Sequence, residues 1–165
     1  MKTKEKTGLV ILSQALTRLM LVLPLLLFAF SFAAHAQEKT KKQAGIQFIE
    51  NKLADATVKA KEQGKLIFVD AFAAWCVPCK QLRKTTFKDP KVAAYFNDHF
   101  ISVALDAEKG EGIPFATKYE VQGYPSLYFI DTEGNLIAKN EGLIAADALL
   151  ALADKVTKSD SQNKK

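Results

Sequence analysis

Residues 66–80 read LIFVDAFAAWCVPCK. The first four, Leu66, Ile67, Phe68 and Val69, form a short unbroken apolar run, the pattern of a strand buried on both faces of a central sheet. The run passes through Asp70 and a small-residue stretch into Trp75, Cys76, Val77, Pro78 and Cys79, and a helical pattern covers residues 76–87. A strand end thus delivers Cys76 to the first turn of a helix, where unpaired backbone N–H groups and the positive helix end favour a thiolate. A lowered thiol pKa supplies a nucleophile at neutral pH. Cys79 lies one helical turn on, so its sulfur can reach that of Cys76 and resolve a mixed disulfide formed there.

Competing readings of the pair are a structural disulfide, a metal clip and two inert core thiols. A structural bridge between residues three apart closes so short a loop that chain-entropy stabilisation is small. Beyond residue 36, His99 is the sole histidine, which leaves a Cys/His zinc site short of ligands and makes a Cys–His hydrolase unattractive. With two cysteines in 165 residues, a disulfide-rich scaffold is excluded. No glycine-rich phosphate loop is present, and the Gly110–Gly112 stretch reads as a loop.

On either side of this segment the pattern is that of an ordinary globular domain, 48% apolar and 25% charged, which excludes collagen, wholesale disorder and a polytopic membrane protein. Ile46, Ile49, Leu53, Ala56 and Ala60 recur at helical spacing and predict a helix over 46–62 that ends at Gly64. Asp89 and Pro90 predict a cap and first position for a helix at 91–97. Strands are expected at 100–105 and 126–130, a short helix at 112–119, and a turn at 131–135 returning through 136–139. A helix at 145–156 closes the unit, with Leu149, Leu150, Leu152, Ala153 and Val156 on its apolar side. Helices alternating with strands before a terminal hairpin give an α/β fold with a mixed central sheet. Residues 37–45 and 158–165 are polar and aperiodic and read as a flexible segment and a frayed tail.

The leader has its own grammar. Lys2, Lys4, Lys6 and Arg18 precede sixteen uncharged residues that end at Ala34–His35–Ala36. A positive start, a short apolar stretch and a small-x-small site are the parts of a secretory signal peptide cleaved after Ala36. The alternative, an uncleaved anchor, is weakened by Pro24 and by a run shorter than the ~20 residues of a spanning helix. Residues 1–36 hold four of the 23 basic and one of the 18 acidic residues, so the net charge falls from +5 to +2 without them. No Lys/Arg stripe interleaved with aromatics remains, which argues against a nucleic-acid partner. Export implies oxidising surroundings in which disulfides persist.

Val69-Asp70-x5-Cys76-x-x-Cys79-Lys80, then Gly123-Tyr124-Pro125, then Gly134 and Gly142, resemble the thioredoxin family over residues 46–157. Within it, Lys80-x4-Thr85-Thr86-Phe87-x-Asp89-Pro90-x-Val92 is similar to the C-terminal periplasmic domain of the transmembrane thiol:disulfide interchange protein. CVPC also occurs in periplasmic reductants of cytochrome c maturation, which carry a longer central insertion than this chain has. The resemblance implies a thioredoxin-like fold, an attacking Cys76 and a buried, resolving Cys79. It implies a cis Pro125 facing the disulfide, with the Tyr124 backbone pairing with substrate, and a substrate surface completed by Trp75, Val77 and Pro78. The bland alternatives are a trans loop proline and a plain core tryptophan. Asp70 is implied as the buried carboxylate that exchanges the Cys79 proton, its pKa raised by burial; otherwise it is an ordinary strand-end acid. The family often pairs this acid with a lysine on the next strand, but Ala104 stands there. Phe72 and Phe115 read as core.

The expected function is an exported thiol-disulfide oxidoreductase that reduces protein disulfides. Uncharged Val77 and Pro78 do little to stabilise a thiolate, which goes with a reducing couple. The expected protein is a monomer with no cofactor beyond its Cys76–Cys79 disulfide, no metal, and a membrane partner as electron donor. The alternative is a non-catalytic binding module that holds partner or unfolded chains beside Tyr124 and Pro125.

Overall fold

The protein is described by a computed structural model over residues 44–163. The expected signal peptide at 1–36, residues 37–43 and residues 164–165 lie outside the described residues. Strand β1 (Phe48–Glu50) leads into helix α1 (Leu53–Gln63), and β2 (Leu66–Phe72) into α2 (Val77–Lys84). A 3-10 turn (Thr86–Lys88) and α3 (Pro90–His99) follow, then β3 (Phe100–Asp106) and α4 (Gly112–Lys118). The hairpin β4 (Ser126–Ile130) and β5 (Leu136–Glu141) precedes α5 (Ala146–Asn163).

The sheet order is β1-β3-β2-β4-β5. The first three of these are mutually parallel, while β4 is antiparallel to both β2 and β5, so the sheet is mixed. β2 is central, with its first six residues buried. Alternation along it feeds two cores. Leu66 and Phe68 join Leu82, Phe96, Phe129 and Leu149 on one face. Ile67, Val69 and Ala71 join Ala56, Val103, Phe115 and Tyr128 on the other. Asp70 follows Phe68 by two residues, which turns it toward the face that α2 covers.

The predicted helix at 46–62 is corrected to a strand followed by a helix. Ile46 and Ile49 fell into helical register with Leu53 and Ala56, yet residues 48–50 pair with Ser102, Val103 and Ala104 of β3. The break is made by Asn51 at φ 54, a left-handed conformation that asparagine tolerates better than most residues. No cap signal marks the start of α1, because Glu111 Oε2 accepts from the Ala54 N–H at 2.9 Å across the fold. The end at Gly64 is as expected: its φ of 63 lets its N–H reach back to the Ala60 and Lys61 carbonyls. The tail is corrected too, since α5 continues to Asn163. A Lys158–Asp154 ion pair at 2.6 Å and a Ser161 hydroxyl donating to the Thr157 carbonyl carry the helix past its last apolar residue.

Candidate active site

Cys76 and Cys79 form a disulfide at the start of α2. Cys76 is the residue before the first turn, and the Cys79 backbone N–H donates to its Sγ at 3.0 Å. Pro78, in the first turn, lacks only an N–H that the helix does not use. Both cysteines are 2% exposed, so burial does not separate them. The hydrogen bond does: in the reduced pair, that N–H and the positive helix end act on Cys76 and stabilise its thiolate.

Around the disulfide, Ala73, Phe72 and Tyr124 pack against the two cysteines. Pro125 is buried, and the Tyr124–Pro125 peptide bond is cis. The Pro125 carbonyl accepts from the Gly142 N–H at 2.8 Å, which ties this loop to the end of β5. Trp75 and Val77 are 66% and 71% exposed, and Pro78 is exposed beside them. The plain-core alternative for Trp75 is thereby corrected. Its indole N–H is shared between both Glu108 carboxylate oxygens at 3.1 Å, and its ring meets the edge of Tyr124 at 5.8 Å. Burial, then Glu108 and Asp106, push the Tyr124 phenol pKa up, so it stays neutral at physiological pH.

Asp70 is 1% exposed. Burial lifts its carboxyl to about 6, against an opposing pull from Arg83 and a smaller push from Glu50. Arg83 Nε donates to Asp70 Oδ2 at 3.0 Å, and Arg83 Nη1 lies 3.8 Å from Glu50 Oε2. Ala104 stands opposite Asp70, as expected from the sequence, so that strand supplies no cation. The cation comes from α2 instead. The signal was available: Arg83 follows Cys79 by four residues and shares its helix face. Glu50 and Glu108 were also missed, because nothing local marks either one. Phe115 is core as expected. Phe72 is only partly buried and carries the Arg83 guanidinium 4.1 Å above its ring.

The arrangement offers an N–H-stabilised sulfur, a second sulfur one turn away, and a buried carboxylate beneath the same helix. The profile of the thioredoxin-like domain matches residues 53–157. The chain belongs to this family. Relatives of similar sequence include the thiol:disulfide interchange protein DsbD of Yersinia pestis (strain Pestoides F), 32% identical over 109 residues. That match covers 66% of this chain and 18% of the relative, so the chain spans about a fifth of the length of such relatives. A candidate disulphide-isomerase from Bacteroides thetaiotaomicron is 42% identical, with a TM-score of 0.63 over 70% of this chain and 96% of that one. The oxidised C-terminal domain of Neisseria meningitidis DsbD is 20% identical, with a TM-score of 0.55 over 66% of this chain and 98% of that one. At that identity the likeness is one of fold. Among the described residues, no cluster of three or more His, Cys, Asp or Glu side chains is placed to hold a metal ion. No helix among them is long and apolar enough to cross a membrane.

Proposed function

We propose that this thioredoxin-like domain is an exported protein-disulfide reductase, released by cleavage after Ala36 and working in the periplasm as a monomer. The observation that carries the reading is the Cys79 N–H donating to Cys76 Sγ at the start of α2, since it favours a thiolate on Cys76 over one on Cys79. The reduced Cys76 thiolate attacks a substrate disulfide, forms a mixed disulfide and expels the first substrate thiolate, which takes up a proton. Asp70 then accepts the Cys79 proton, and the Cys79 thiolate attacks Cys76 Sγ. The second substrate thiolate leaves, and the Cys76–Cys79 disulfide holds the oxidising equivalent. Two electrons pass to the substrate, and a membrane dithiol partner restores them.

Trp75, Val77, Pro78, Tyr124 and Pro125 form the surface that receives the substrate chain. The exposed, uncharged Val77–Pro78 pair supports the reductive direction, because no charge between the cysteines strengthens the thiolate further. Residues 46–157 are the catalytic unit, residues 37–45 a connecting segment, and residues 158–165 its polar end.

A Cys79→Ser variant lacks the resolving thiol and accumulates mixed disulfides with substrates in periplasmic extracts. The same experiment with Cys76→Ser yields none. Absence of adducts on Cys79→Ser, or equal trapping by Cys76→Ser, overturns Cys76 as nucleophile. Equilibration with glutathione fixes the direction: a potential near that of thioredoxin, about −270 mV, is expected, and one near the strongest oxidants, about −120 mV, overturns the reducing assignment.

A further inference from the structure

Asp70 and Glu50 are two carboxylates facing one cation. Arg83 lies four residues after Cys79, so its side chain leaves α2 one turn beyond the resolving thiol. From there Nε reaches Asp70 Oδ2 at 3.0 Å, and Nη1 reaches Glu50 Oε2 at 3.8 Å. The guanidinium plane is fixed by aromatic rings, 4.1 Å above Phe72 and 5.9 Å from Phe48. Its side chain is 31% exposed, against 1% for Asp70 and 56% for Glu50, so the trio runs from the interior to solvent. Among the described residues, Asp70 Oδ1 has no hydrogen-bond partner, which leaves one carboxylate oxygen open to a proton.

We propose that Arg83 is a positioning residue for the reaction: clamped between Glu50 and Asp70, it keeps the Asp70 carboxylate ionised as the proton acceptor for Cys79. The inference rests on the proposed role of Asp70. Both strand neighbours of Asp70, Ala104 and Leu127, are uncharged. The charges that face it come from Arg83 on α2 and Glu50 on β1, joined by the Cys79 thiol when reduced. Lys59 and Lys88 line a cavity with Glu50 and Arg83, but both are solvent-exposed and act on the outer end of the trio. Burial and Glu50 both favour the protonated acid, and Arg83 alone opposes them. Without Arg83 a larger share of the carboxyl carries its proton at pH 7, and that share cannot take another from Cys79. Without Glu50 the pull of Arg83 is undivided.

The test has two readouts on the full-length protein, oxidised for the first and reduced to the dithiol for the second. Carboxyl 13C NMR follows Asp70 through pH 4–9 in wild type, Arg83→Met, Arg83→Lys and Glu50→Gln. Rapid-quench kinetics follow resolution of a mixed disulfide by Cys79 over the same range. Arg83→Met is expected to raise the Asp70 inflection by about one pH unit or more. It slows resolution at pH 7 about twofold for a one-unit rise and about tenfold for a two-unit rise, with recovery as the pH rises. Arg83→Lys stays near wild type, and Glu50→Gln moves the inflection down. A mere structural role would not shift the two variants in opposite directions. If Arg83→Met fails to fold, Glu50→Gln still decides the sign. An unmoved or lowered inflection in Arg83→Met, or an unmoved or raised one in Glu50→Gln, overturns the proposal. Asp70→Asn separates the two levels. If it leaves resolution unchanged at every pH, the base role of Asp70 falls, and this inference with it. If it slows resolution while Arg83→Met does not, only the role of Arg83 falls.

Discussion

Asp70 shows how a proposed site residue and the stability of the fold pull against each other. Its carboxyl stands at about 6 in the folded protein, above the ordinary value of 3.8. Between those pH values the folded chain holds a proton that the unfolded chain has released, so stability falls as pH rises through this window and stays lower above it. The difference is on the order of 3 kcal/mol. Asp70→Asn, which never ionises, should therefore gain stability over wild type at pH 8 and none at pH 3.5. Denaturant melts of the oxidised protein at the two pH values check this, and an equal difference at both would contradict it. Trp75 is the second residue whose setting is informative. An exposed indole held by both oxygens of Glu108 and edged by Tyr124 is fixed for contact rather than for packing. Glu108→Ala frees the ring, so KM for a protein disulfide should rise several-fold with kcat little changed. A fall in kcat at constant KM would mean that Glu108 serves the chemistry itself.

At the scale of elements, what was legible depended on where the determining contacts lie. The α2 start, the Asp89–Pro90 opening of α3 and the Gly64 end of α1 were readable because their signals are local. Asp89 Oδ1 accepts from the Lys91 and Val92 N–H groups, as its place in the sequence suggested. β1 was not readable, since a three-residue strand has no period of its own and its partner β3 lies some fifty residues away. The helix face of Arg83 was legible from its spacing to Cys79, but its two acidic partners were not, because β1 and β2 bring them. The short helix expected at 112–119 is α4, and Gly112, the last residue of the Gly110–Gly112 stretch read as a loop, opens it against the end of β3. A Cβ there would collide with the Asp106 backbone carbonyl, which has no freedom to move aside. Gly112→Ala should destabilise the fold by about 1–3 kcal/mol, measured by denaturant unfolding. A neutral effect would mean that α4 can slide along β3.

For the whole molecule, the sheet divides two cores, and the site sits where α2 closes over one of them. Residues 66–69 are apolar without a break, so a strand buried on both faces was legible there, while the mixed sheet was legible only from the order of helices and strands. Phe68 is the pivot of the first core, fully buried and in ring contact with Phe48, Phe87, Phe96 and Phe129. Phe68→Ala should cost about 3–5 kcal/mol of stability. A loss below 1 kcal/mol would show that the core collapses around the gap. This frame gives the two sulfurs different surroundings, and on that asymmetry the proposed function depends. The most direct measurement is reduction of insulin disulfides, with dithiothreitol as electron source, by wild type and by Cys76→Ser. The account predicts catalysis by the wild type and a rate no faster than dithiothreitol alone for the variant. Equal rates for the two proteins would contradict it.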